Sequence, residues 1–225
     1  MYRVDRNNFF KNEKKATIYT PSWVSQFLYN ILSPQIQRVL ILDPCVGEGS
    51  LLLPWQQKGF DVLGVDIEKT TFPNLIHNNF LELTQKDLNT QKISLVITNP
   101  PFNLDFKTKN YVKEKYGGRP LLPELWLSKI IELFGKDIPI VLFTPYGFRL
   151  NQSLNSKRLQ KFLNQEYPEI SSIISLPKDV FENVVFHSEI LIFNVNHLKP
   201  HYFCGIATNQ NDYLFINSSN WFIPK

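Results

Sequence analysis

The sequence predicts an α/β fold: a doubly wound, mostly parallel seven-stranded sheet with one antiparallel strand. Three observations predict it. The short runs "RVLILD", "ISLVITN" and "IPIVLFTP" are continuously apolar rather than alternating, as in strands covered on both faces. Segments with helical spacing stand between most of them, the pattern of parallel strands joined by crossover helices. The last two apolar runs, "ISSIISLP" and "SEILIFNV", lack a full helix between them, so one of that pair should run antiparallel.

Each element follows in order. After a polar arm, "YTPSWVSQFLYNIL" reads as a helix with Thr20 as N-cap and Pro21 at its first position, and Val24, Phe27, Leu28, Ile31 and Leu32 on one face. "RVLILD" is the first strand, "GSLLLPWQQKG" a helix closed by Gly59, and "DVLGVD" the second strand. "NLIHNN" is a short third strand and "ISLVITN" the fourth. "LPELWLSKIIELFG" is a helix, "IPIVLFTP" the fifth strand and "SKRLQKFLNQEY" another helix. From residue 200 onward the chain has room for two short edge strands. The expected organisation is a single domain over 1–225: an arm over 1–16, a core over 17–199 and an extension over 200–225, without a second domain.

Composition narrows the classes of function. The chain has 225 residues, 43% of them hydrophobic, enough for one substantial core. Its formal charge of +4 suits a polyanionic partner without specifying one. With only two cysteines, Cys45 and Cys204, no disulfide framework is implied, and a reducing, cytoplasmic setting is expected. The first residues, "MYRVDRNNFFKNEKK", lack the apolar core of a signal peptide, and no stretch is long enough to span a membrane.

Chemistry concentrates at three turns. "LDPCVGEGS" lies between a strand and a helix, where Gly47 and Gly49 allow a ligand close to backbone N–H groups. The spacing departs from the dinucleotide fingerprint, and Asp43 would repel a pyrophosphate, so a ligand carrying positive charge fits better. Asp66, with Ile67 beside it, ends the second strand, where a carboxylate can hold both hydroxyls of an adenosine ribose. The two acids together suit an adenosine ligand bearing a cation, and S-adenosyl-L-methionine is such a ligand.

The third turn is "VITNPPFN". An aromatic amine is a poor nucleophile because its lone pair is delocalised into the ring. Acceptors at the Asn99 side-chain oxygen and the Pro100 carbonyl would favour a pyramidal nitrogen, with Pro100 and Pro101 fixing the backbone. Phe102 offers a face for a flat base.

These residues carry a resemblance. Asp43, Cys45, Gly47 and Gly49 resemble the cofactor loop of S-adenosylmethionine-dependent amino-methyltransferases, and Asn99, Pro100, Pro101 and Phe102 are similar to their catalytic tetrad. "ATIYTPSWV" resembles the Thr-Pro segment of adenine-specific DNA methylases with this motif order, including restriction-modification subunits. That resemblance implies that Tyr19, Thr20 and Pro21 contact the methionine part of the cofactor. "NNFLEL" is similar to the family's site for the cofactor adenine, with Asn79 in place of its Asp before Phe80. "LPKDVFENVVFHSEILIF" resembles the late segment that gives an aromatic to the flipped base, here Phe186. The implied fold is the Rossmann-like methyltransferase fold, and the implied activity is adenine-N(6) methylation in DNA by base flipping.

Other readings stay open at this stage: an RNA adenine or guanine amino-methyltransferase, and a non-catalytic cofactor-binding subunit of a methylase complex. A protein-glutamine methylase fits less well, because its related motif ends in tyrosine. Lys107, Lys109, Lys113 and Lys115, with Arg119 and against Asp105 and Glu114, are expected to face nucleic acid from the edge that follows the fourth strand. The family's target-recognition domain is not seen after the last strand, so a short recognition context or a second polypeptide supplying specificity is expected. Pro44-Cys45 is similar to the Pro-Cys of cytosine methylases but stands in the wrong turn. His197, His201 and Cys204 have spacings that hint at zinc, yet a second cysteine is absent there and no metal is expected.

Overall fold

The computed structural model describes residues 19–88, 92–102, 110, 114, 121–152, 157–177, 180–181, 187–206 and 213–215. Phe186 and the lysines 107, 109, 113 and 115 lie outside the described residues.

Helix α1 (Ser22–Leu32) buries Val24, Leu28 and Leu32 against the sheet. Its N-cap is Pro21 rather than Thr20, and no side chain caps it. The Pro21 carbonyl takes the N–H groups of Val24 and Ser25, while the Thr20 hydroxyl is turned elsewhere. Strands β1 (Leu40–Asp43), β2 (Asp61–Asp66), β3 (Leu75–His77), β4 (Ile93–Thr98) and β5 (Ile140–Pro145) run parallel, in the spatial order β3-β2-β1-β4-β5. After β1 the chain builds outward to β3, then returns to place β4 on the other side of β1. The sheet therefore has its topological switch between β1 and β4, where open α/β folds bind ligands.

Strand β7 (Ser188–Phe193) lies antiparallel between β5 and β6 (Ile170–Leu176), as expected of one of the last two apolar runs. All six of its residues are buried. The sheet nonetheless exceeds seven strands. Strand β8 (His201–Ile206) pairs parallel with β6, and β9 (Tyr213–Phe215) pairs antiparallel with β8, giving nine strands among the described residues and a second antiparallel member. Strand β8 thus covers the β6 edge, whose ladder groups would otherwise stand open.

Two apolar layers fill the faces. One packs α1 and α2 (Leu53–Gln57) over Ile41, Leu95, Ile97, Val141, Phe143 and Ile190. The other packs α3 (Leu122–Phe134) over Leu42, Val96, Leu142, Leu191 and Phe193. Two helices are shorter than their patterns predict. The α2 turn starts late because residues 49–52 form tight turns on the Gly49 carbonyl, and α4 (Arg158–Leu163) stops at Asn164, before Gln165 at φ 57. Among the described residues no helix is long and apolar enough to cross a membrane.

Candidate active site at the carboxyl ends of β1, β2 and β4

Asp43 ends β1 and Asp66 ends β2, and the loop between β1 and α2 is built on both. The Asp43 Oδ1 accepts the Cys45 N–H at 2.9 Å. The Asp66 Oδ2 accepts the Gly47 N–H at 2.9 Å, and its Oδ1 accepts the Glu68 N–H at 2.9 Å. One carboxylate thus ties the glycine loop to the turn after β2. Gly49 sits at φ +82, and a Cβ there would stand 2.6 Å from the Phe72 ring, so only glycine fits the corner. The Tyr19 ring lies over Gly47, and Ile67 beside Asp66 is 67% exposed, an apolar surface at the mouth of the loop.

Burial governs the charge at Asp43, which is 1% exposed. Loss of solvent pushes its carboxyl up to about 7. The Cys45 N–H and the neighbouring Thr98 hydroxyl oppose the rise, the latter from nearby without meeting hydrogen-bond geometry, and the charge of Asp66 adds to it. A buried carboxylate with this poise favours a cation beside it. The Cys45 thiol is also pushed up, by burial and by the charges of Asp43 and Asp66, so it stays protonated. That is the reverse of what a nucleophilic cysteine needs.

The Asn-Pro-Pro-Phe turn leaves β4 next to this corner. Asn99 Nδ2 donates to Thr20 Oγ at 3.2 Å, joining residues 79 apart in the chain. With that orientation the amide NH2 is engaged, and Asn99 Oδ1 has no partner among the described residues. Thr20 therefore belongs to the same site as Asn99, and its part there replaces the helix-capping part expected of it. Pro100 is buried, Pro101 is half-buried, and the Phe102 ring packs partly against the α1 layer.

The Asn79-Phe80 pair divides its work. Asn79 Oδ1 caps a short 3-10 turn (Phe80–Glu82) through the Leu81 N–H at 3.1 Å. The Phe80 ring is buried against Trp126, with centroids 6.1 Å apart, so it supports the turn from below and Asn79 is the member that reaches solvent. The histidines hinted at no shared site: His201 Nε2 stands 2.7 Å from Ser175 Oγ, and no cluster of three or more metal-binding side chains forms among the described residues.

Motif reading missed one group at this edge. Tyr146, Arg149, His187 and Glu189 gather where β5 ends and β7 begins. One signal was present: a glutamate inside the otherwise apolar "SEILIF".

Comparison with known proteins gives a consistent picture. The family described as N-6 DNA Methylase matches residues 2–225. The chain is 26% identical to the methylase subunit of the type I restriction enzyme MjaVIII of Methanocaldococcus jannaschii, over 93% of this chain and 40% of the relative. It is 25% identical to the MjaVII methylase subunit of the same organism, over 92% and 40%. The chain therefore spans about two fifths of the length of these curated relatives. Among solved structures, the methyltransferase subunit of a type I restriction-modification system from Streptococcus thermophilus superimposes with a TM-score of 0.61 at 16% identity, over 90% of this chain and 51% of that one.

Proposed function

The chain belongs to the N-6 DNA methylase family, and we propose that it methylates the N6 amine of adenine in DNA with S-adenosyl-L-methionine as donor. The observation that carries this reading is Asn99: a side-chain oxygen without a partner among the described residues, at the end of β4, with its amide nitrogen held by Thr20.

The residues present fit the proposed donor. Each Asp66 oxygen accepts one N–H and retains a lone pair, so the carboxylate can take the two hydroxyls of a ribose. Asp43 supplies the buried carboxylate that a cationic ligand would hold in its charged form. We assign Tyr19, Pro21, Cys45, Gly47, Gly49, Ile67, Asn79 and Phe80 to the same donor site: Tyr19 stands beside Gly47, and Asn78, next to Asn79, donates its N–H to the Asp66 carbonyl. When bound, the donor supplies an electrophilic methyl group on a sulfonium.

Asn99 Oδ1 and the Pro100 carbonyl accept the two hydrogens of the amine, which draws the nitrogen towards a pyramidal form with an available lone pair. Phe102 bounds the base on one face. An adenine inside a duplex cannot reach this turn, so the base leaves the stack, and Phe186 and the lysines at 107, 109, 113 and 115 belong to the proposed DNA side. Sequence selection is assigned to a second polypeptide, or to a short recognition context.

The test uses labelled donor offered with DNA, structured RNA and protein, followed by nucleoside analysis. Asn99→Ala is expected to lower turnover on DNA by about 100- to 1,000-fold while calorimetry shows cofactor affinity unchanged. Near-normal methylation by that variant, or label in guanine or protein instead of adenine, would overturn the reading.

A further inference from the structure

The edge that carries Asn99 holds a second set of side chains that the reaction above does not use. Thr98 on β4 pairs with Leu142 on β5, so the corner after β5, residues 146–150, lies beside the exit of β4. Tyr146 is 69% exposed, yet it is held in place: its N–H bonds the His187 carbonyl at 3.2 Å, and its ring meets the His187 imidazole edge-on at 6.4 Å. Behind it, Glu189 is 1% exposed, paired across the sheet with Thr144 on β5 and Ser175 on β6.

Arg149 brings its Nε to 4.0 Å from Glu189 Oε1, too far for a hydrogen bond, and neither atom has a hydrogen-bond partner among the described residues. Burial pushes the Glu189 carboxyl up, and the Arg149 charge and the Gly147 backbone N–H oppose the rise. Such a pair is a poor device for stability, because its two members do not repay their desolvation by bonding each other. The backbone under it is fixed all the same. Arg158 donates through Nε to the Phe148 carbonyl at 2.9 Å and through Nη1 to Glu124 Oε2 at 2.7 Å, with its guanidinium 4.7 Å from the Phe148 ring centroid.

A half-exposed guanidinium whose Nε has no hydrogen-bond partner among the described residues, three positions along the same corner from an oriented and exposed ring, is suited to an anion attached to a flat group. The acids of the cofactor corner lie across β4, at β1 and β2, so this cation faces the other ligand. Extrusion of a base leaves its neighbour with one unstacked face and an adjacent phosphate. Building on the methylase reading, we infer that Tyr146 and Arg149 form a second DNA contact that grips the nucleotide next to the extruded adenine. The base stacks on Tyr146, the phosphate sits on Arg149, and Glu189 is the positioning residue for Arg149.

The experiment is an anisotropy titration of a labelled duplex with an unpaired adenine, repeated over a salt series. Tyr146→Ala should weaken binding about 5- to 150-fold, the range of one base–aromatic stack. Arg149→Gln should reduce the log–log salt slope by about 0.9, one phosphate contact. Glu189→Gln should weaken duplex binding while leaving cofactor affinity alone. Calorimetric cofactor binding by all three variants, unchanged from the parent, separates these effects from misfolding. Asn99→Ala removes no phosphate contact, so it should keep the salt slope while lowering methylation about 100- to 1,000-fold. If the parent chain methylates DNA and the Tyr146 and Arg149 variants bind as it does, with its slope, this contact is wrong and the methylase reading stands. If the parent chain neither binds nor methylates DNA, both fall.

Discussion

The two sides of β4 treat polar groups in opposite ways. On the β1–β2 side, Asp43 and Asp66 together accept three backbone N–H groups, and the loop they hold is shaped before any ligand arrives. On the β5–β7 side, Arg149 and Glu189 stand near each other without bonding, and Tyr146 faces solvent. The first corner is preset and the second is waiting. A small flexible donor benefits from a rigid cradle that lowers the ordering cost of binding. On the proposed reading, a nucleic acid arrives with its own structure, and contacts that complete only on arrival would let binding drive the base out of its stack.

Three substitutions probe that contrast in descending order of effect, with Tyr146→Ala as the control. Asp66→Ala removes two charge-assisted bonds, each worth about 1.5–3 kcal/mol, and should both weaken cofactor binding by at least tenfold and lower the Tm of the ligand-free chain. For a chain of this size each kcal/mol corresponds to roughly 2–4 °C. An unmoved Tm would show that the loop is not preset by Asp66. By contrast, Tyr146→Ala should leave Tm where it is, since that ring is mostly in solvent.

Asp43→Asn keeps the acceptor for the Cys45 N–H and deletes a buried charge. The folded carboxyl at about 7 lies above its ordinary 3.8, so the folded chain holds an extra proton between those values. Stability then falls as pH rises through that window. Asp43→Asn should therefore melt higher than the parent at pH 8, with the gap closing towards pH 4, while it binds the cationic donor more weakly. An equal gap at both pH values would mean the carboxyl is not held up by burial.

Thr20→Val deletes the bond that orients the Asn99 amide. A neutral hydrogen bond is worth about 1 kcal/mol, so kcat should drop about fivefold with the cofactor Kd unchanged. A change in Kd with kcat intact would return Thr20 to the cofactor side alone.

How much of this was legible beforehand follows from how local each signal is. The β strands announce themselves through continuous apolar runs, and Asp43, Asp66 and Asn99 stand at strand ends where a parallel sheet must gather them. Thr20 was misjudged because Thr-Pro before an apolar period reads as a helix start, whereas its hydroxyl answers to a residue 79 positions away. The Tyr146 corner was out of reach for a related reason. Its members come together only because β7 inserts between β5 and β6, and nothing local records that order. The β6 edge, too, is covered by strands whose short polar surroundings gave only room for them, not their pairing.

That insertion also sets a timetable. All the aspartates, glycines and the asparagine of the cofactor corner precede the end of the Asn-Pro-Pro-Phe turn, so a growing chain carries them early. Strand β7 comes after both strands that it separates. Until it has emerged from the ribosome, β5 keeps an apolar edge with open N–H and C=O groups, a ready template for pairing with another nascent chain. An exposed interval falls there, between making the half that carries Asp43, Asp66 and Asn99 and closing the half that carries Tyr146 and Arg149.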